Sequence, residues 1–295
     1  MLSKIIHESK QVSTIRRDTS DQAFARILDI GRVVSGFFGF CNIGYFTDLT
    51  EILQADVVRV VNNVARHIHQ SIKDNHGAPN KNMGDTFLLV WMAKYDVGVR
   101  KVADASLRSL IRSTVEVSRN KAIAKMTGRP EVQARMPGFN IRLGFGLHFG
   151  WAVECAIGSD LKIDASYLSP HVNLASRLQS ATKQYGVDIL ISREAYCLFS
   201  PSVQSLCRLV DRVTFKGTAH PMELYTYDIP PSTVNGIYVI DDHVVSCSST
   251  KNQSFFSALQ PVIGEHFRMQ FSMVGLQLLI CDFLLLDPLF RPTIP

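Results

Sequence analysis

No C-x-x-C pair occurs in the sequence; the six cysteines, at 41, 155, 197, 207, 247 and 281, are scattered. That spacing excludes a zinc ribbon or a disulfide-stapled scaffold and reads as reduced, intracellular thiols. A long uninterrupted apolar run is also missing. The nearest approach, "FSMVGLQLLICDFLLLDPLF" at 271–290, is broken by Gln277, Asp282 and Asp287. It falls short of the roughly 20 apolar residues of a membrane span. No span is expected, and residues 270–290 are expected to form a buried helix or to dock an assembly partner. The first 21 residues lack the apolar core of a signal peptide. No dense Lys/Arg block is present, so nucleic-acid binding is not expected. There is no G-x-x-x-x-G-K-[ST] and no dinucleotide fingerprint, which sets aside P-loop and Rossmann readings.

What the chain does have is apolar material for a core. Hydrophobic residues make up 46% of the 295 positions, against 19% charged, and the formal net charge is a mild +5. That charge suits an anionic ligand and equally an ordinary solvated basic surface. Three segments are expected: an N-terminal extension over 1–33, one domain over 34–229, and a C-terminal extension of unknown role over 230–295. The stretch "DIPPSTVNG" after Tyr227 reads as the domain end.

Within the domain, Ser20 and Asp21 predict a helix cap, with the helix running to about Val34. An apolar strand, Gly36–Ile43, follows. The spacing of Leu49, Ile52, Leu53, Val57, Val60, Val61, Val64 and Ile68 predicts a helix over 48–74, stopped before Asn75-His76-Gly77. Gly84-Asp85, between a short polar run and the apolar Thr86–Trp91, predicts a hairpin turn. A second helix is expected over 97–118, then a polar loop over 127–138. Two strands are expected to flank the Gly-rich corner "LGFGLHFGWAVECAIG", where Gly144, Gly146 and Gly150 are expected to permit close packing or a bulge rather than to cradle phosphate. In "SPHVNLASRLQSATKQYG", Ser169 caps a helix, Pro170 opens it and Gly186 stops it. Strands at 187–191, 208–215 and 222–228 and a short helix near 193–199 complete an α+β pattern with helices over one sheet.

Five short patterns stand in one order: "FCNIGYFTDLTE", "NKNMGDTFLLVW", "GFGLHFGWAVECAIGS", "IDASYLSPHVNLASRL" and "DRVTFKGTAHPMELY". Together they make residues 34–229 resemble the catalytic domain of class III nucleotide cyclases, the adenylyl and guanylyl cyclase family, with wording closest to protist members. The resemblance implies a ferredoxin-like fold with an antiparallel-rich sheet. It also implies conversion of a nucleoside triphosphate to a cyclic nucleotide and pyrophosphate, with Mg2+ or Mn2+, at the interface of two such domains. The expected setting is cytoplasmic signalling, free or within a membrane- or cytoskeleton-associated assembly.

The residues can be taken in turn. The family places metal-binding aspartates at the end of the first strand and in the following hairpin turn. Asp85 fills the second position; the first is Asn42. An amide oxygen can coordinate magnesium but brings no negative charge, so it holds a dication more weakly. Asp48, six residues on, is expected to be a poor substitute. Asn173 and Arg177 lie four apart and share a helix face while Val172, Ala175 and Leu178 pack inward. The resemblance assigns this Asn to orienting the ribose and this Arg to the charge that develops on the phosphate, a task that suits a planar guanidinium. Lys81 stands where adenylyl cyclases carry a base-reading lysine and guanylyl cyclases a glutamate. A lysine donates to adenine's ring acceptors, so ATP is favoured. The partner for the adenine amino group falls at Ser166, with Asp164 two residues away leaving the register open. Lys216 matches a triphosphate-contacting lysine or is a strand-end surface lysine. His148 and Glu154 sit among strand residues, where a structural role is expected. Three readings follow: the complementary half of a heterodimeric adenylyl cyclase, a homodimer of reduced activity, or an inactive structural or nucleotide-sensing module.

Overall fold

The computed structural model describes residues 31–93, 98–159, 163–215 and 221–229. The chain enters through β1 (Gly31–Ile43), turns into α1 (Phe46–Leu53), passes a 3-10 turn at Gln54–Asp56 and continues as α2 (Val57–Asp74). A hairpin of β2 (Ala78–Met83) and β3 (Thr86–Met92) follows, then α3 (Val99–Arg119), α4 (Lys121–Thr127) and α5 (Pro130–Arg135). The second half comprises β4 (Leu143–Gly158), β5 (Ile163–Leu168), α6 (Pro170–Tyr185), β6 (Ile189–Ser192), α7 (Arg193–Tyr196), α8 (Pro201–Gln204), β7 (Arg208–Val213) and β8 (Met222–Thr226).

The strands form one sheet in the order β2-β3-β1-β4-β6-β8-β7, with β5 added against the far end of β4. Every pairing is antiparallel except β4 with β6. β1 lies near the centre, which explains its unbroken apolar run: Phe37, Phe38, Phe40, Cys41 and Ile43 are all buried because both faces of the strand are covered. On one face Phe38 and Phe40 join Leu88, Val90, Tyr167, Val172 and Ala175 beneath α6. On the other, Phe37 meets Phe149 at 4.8 Å between ring centroids, and His69 of α2 meets Phe87 at 6.0 Å. This is the mixed α+β fold that the motif order implies.

Several boundaries differ from the sequence expectation. Residues 31–34, expected as the end of a helix, begin β1, with Val34 paired to Ala152. The remainder of that helix lies outside the described residues. The helix expected over 48–74 is broken at Gln54, whose φ of 47° ends α1 and forces the 3-10 turn. The polar loop at 127–138 contains α5, opened by Pro130 at its first turn. The Gly-rich corner is no corner: β4 runs unbroken for 16 residues. Its glycines do serve the close packing expected of them. A Cβ on Gly146 would stand 2.3 Å from the Ala175 carbonyl and the Gln179 amide of α6, and one on Gly150 would stand 2.3 Å from the His171 ring. Among the described residues no helix is long and apolar enough to cross a membrane.

Candidate active site

β1 delivers Asn42 opposite Thr86 on one side and Gly144 on the other. Gly84, at φ 69°, makes the tight turn that swings Asp85 back toward the end of β1. The Ile43 amide then donates to the Asp85 carbonyl at 3.0 Å. Between the side chains, Asn42 Nδ2 donates to Asp85 Oδ2 at 2.7 Å and to Thr86 Oγ1 at 3.1 Å. Thr86 Oγ1 donates in turn to Asp85 Oδ1 at 3.2 Å. The carboxylate is thus satisfied by an amide and a hydroxyl. The thiol of Cys41, buried beside it, is pushed well up by desolvation and then by the Asp85 charge.

A divalent cation would need the oxygens that this network consumes, and it would need more than one anionic donor. Asn42 turns its nitrogen, not its oxygen, toward Asp85. No cluster of three or more His, Cys, Asp or Glu side chains fit for a metal exists among the described residues. The residues present at this position therefore do not fit Mg2+ or Mn2+ held by this chain alone.

The same end of the sheet opens into a cleft of about 360 Å3, lined by Asn42, Asp48, Asp85, Arg142, Lys183 and Asp188 among others. Asp48 does reach this cleft, from the first turn of α1, but its nearest ion-pair partner is Arg135 at 3.9 Å. Arg142 was not singled out in the sequence. It stands immediately before β4 and pairs with Asp188 at 2.7 Å, while its carbonyl accepts from Gly44 at 2.8 Å. The signal that could have found it is the pairing implied by the motifs: whatever precedes "LGFG" must lie beside the end of "FCNI".

A second pair forms away from Asn42. Lys81 Nζ donates to Ser166 Oγ at 3.4 Å, joining residues 85 apart in the chain. Ser166 is buried and sits opposite Cys155 on β4. The third element is α6. Ser169 Oγ accepts from the His171 amide at 3.0 Å, and Gly186 at φ 66° closes the helix. Val172, Ala175 and Leu178 are buried while Asn173 and Arg177 are exposed, so the two polar side chains project from one outer face. Lys216 lies outside the described residues.

His148 and Glu154 have structural partners. His148 is buried, with Nδ1 2.7 Å from Ser192 Oγ and Nε2 2.8 Å from His171 Nδ1. Desolvation, then the His171 charge, holds its pKa well below the usual histidine value. Glu154 pairs with Arg32 at 2.9 Å and accepts from Tyr167 at 3.1 Å.

Comparison with known proteins gives the family and the fold. The family model of the adenylate and guanylate cyclase catalytic domain matches residues 35–229. An adenylate cyclase of Anabaena cylindrica is 28% identical over 189 residues, covering 63% of this chain and 35% of that protein. The terminal-differentiation specific adenylate cyclase of Dictyostelium discoideum is 25% identical over 190 residues, covering 63% of this chain and 8% of that protein. The chain thus spans about a third or less of the length of these relatives. Among solved structures, a bacterial light-regulated adenylyl cyclase shares the fold with a TM-score of 0.56 at 21% identity, covering 77% of this chain and 63% of that one. The guanylyl cyclase Cya2 does so at 0.54 and 19%, covering 66% and 92%. The fold is common to both kinds and does not choose the base. The match, across well over half of the chain, shows that it belongs to the adenylate and guanylate cyclase catalytic domain family.

Proposed function

We propose that this domain works as an adenylyl cyclase-type half-site, converting ATP to cyclic AMP and pyrophosphate with a second cyclase domain that supplies both metal carboxylates. One observation carries the reading: of the groups assigned to the nucleotide, Asn173 and Arg177 are exposed and Lys81 pairs with Ser166, whereas Asn42 and Asp85 close on themselves. In the reaction the ribose 3′-oxygen bonds to the α-phosphorus while the bond to the α,β-bridging oxygen breaks. Pyrophosphate leaves with that electron pair, and the 3′-hydroxyl proton passes to solvent. Positioning and charge neutralisation dominate such transfers. Lys81 donates to an adenine ring nitrogen and Ser166 accepts from the exocyclic amino group. Guanine would present a donor to Lys81 and is disfavoured. Asn173 orients the ribose, Arg177 meets the charge developing on the α-phosphate, and Lys216 contacts the triphosphate. Divalent metals, on which this family normally relies, would sit on the partner's carboxylates.

The test is to mix the chain with a cyclase domain that keeps both carboxylates but has lost its own arginine. Cyclic AMP well above either component alone is the expected result; none above the partner alone overturns the heterodimer. The closed Asn42–Asp85 pair also favours a second reading, in which the domain binds nucleotide or a partner without turnover. Nucleotide binding together with silence in every mixture would establish it. Docking through residues 270–290 belongs to this second reading and is checked by truncation at about residue 230, which should release the partner.

A further inference from the structure

β2 and β5 are not neighbours in the sheet: among the described residues β2 pairs only with β3, and β5 only with β4. Two consecutive residues bridge them. Asn80 Nδ2 donates to the Ala165 carbonyl at 3.3 Å, and Lys81 Nζ donates to Ser166 Oγ at 3.4 Å. Consecutive residues of a regular strand point to opposite faces, so both could not reach β5. A β-bulge removes that obstacle: Pro79 pairs with Leu89 and Lys81 with Leu88, leaving Asn80 as the extra residue. Bulges re-aim side chains in this way. The bond is not there for stability alone, because Asn80 Oδ1 is buried without a partner. An unsatisfied buried acceptor is a cost that an apolar residue would avoid.

We propose that Asn80 is a specificity-determining positioning residue: through the bulge and its bond to Ala165 it holds β5 against β2, so that Lys81 and Ser166 meet the purine at fixed spacing. The inference rests on the assignment of Lys81 and Ser166 to the base. Asn80 itself touches β5 rather than substrate. If it were replaced, Ser166 would drift relative to Lys81, and the site would lose its ability to tell adenine from guanine while keeping its hold on the phosphates.

The test uses the full chain mixed with the cyclase domain that keeps both carboxylates but has lost its own arginine, and three competitors against a fluorescent ATP analogue: ATP, GTP and inorganic triphosphate. Two variants are compared with the parent, Asn80→Ala and Asn80→Leu, which is similar in size and uncharged but loses the donor. Loss of one hydrogen bond's worth of alignment predicts roughly tenfold weaker ATP binding. It also predicts a narrowed ATP-to-GTP ratio and unchanged inorganic triphosphate binding. An unchanged ratio in both variants overturns the proposal, as does an equal weakening for all three competitors, which would mark a purely structural role. A parent assembly that binds inorganic triphosphate but shows no added affinity for ATP would instead remove the base assignment itself, and this inference with it.

Discussion

At Asn42 an NH2 group stands where the family resemblance implies a carboxylate oxygen, and this changes what the end of β1 can attract. Two facing carboxylates repel one another until a cation lies between them. Here the amide hydrogens stand in the cation's stead, at 2.7 Å from Asp85 and 3.1 Å from Thr86. Hydrogen bonds to a charged group are worth about 1.5–3 kcal/mol. Asn42→Asp should therefore lower the melting temperature by roughly 5 °C in metal-free buffer, and Mn2+ should restore it while leaving the parent unaffected. Equal melting of both proteins, with and without Mn2+, would contradict this account. The substitution was readable in the sequence because its motif frame is strong; the direction in which the amide faces was not. His148 offers a second test at this scale. Its folded pKa is depressed by burial, so the neutral form is favoured in the fold. The stabilisation is full above the unfolded pKa of about 6.5 and is lost as pH falls through the folded value. Melting temperature should drop between about pH 7 and pH 5, and the slope should flatten in His148→Gln. A parent profile that is flat over that range would remove the argument.

Among the elements, α6 and β4 show what local pattern can and cannot say. The limits of α6 were legible because capping is local chemistry: Ser169, Pro170 and Gly186 do their work within one turn of the chain. The sequence suggests two strands where β4 is one, because glycine clusters are common at bends. That Gly144, Gly146 and Gly150 serve close packing was legible; that α6 is what approaches them, from about 30 residues away, has no local signature. That approach is tight. Gly146→Ala would place a methyl 2.3 Å from backbone atoms of α6, which cannot yield as a flexible side chain would. A loss of about 2 kcal/mol or more is expected from such overpacking, measured by urea unfolding with an unchanged m value. A loss under about half a kilocalorie per mole would show that α6 can retreat freely. The break at Gln54 was hidden for a related reason: the apolar period continues through it, and only the backbone φ of 47° reveals it.

For the whole molecule, the arrangement is one of incomplete halves. Asn173 and Arg177 are exposed on a single chain, so their proposed chemistry depends on a second domain covering them. Arg177→Ala should cost roughly 10²–10³ in turnover of the mixed assembly, with ATP affinity changed far less. A loss in affinity alone would move Arg177 from charge stabilisation to binding. Composition, five ordered motifs and helix caps were enough to determine the family, the α+β class and which residue types occupy the expected site positions. These are properties of short stretches, and short stretches carry them intact. Tertiary structure alone decided that Asn42 turns its nitrogen to Asp85, that Arg142 joins the same cleft, and that Lys81 meets Ser166 across 85 residues with Asn80 beside it. Each of these depends on register between strands distant in sequence, and register is fixed only when a whole sheet closes on its core.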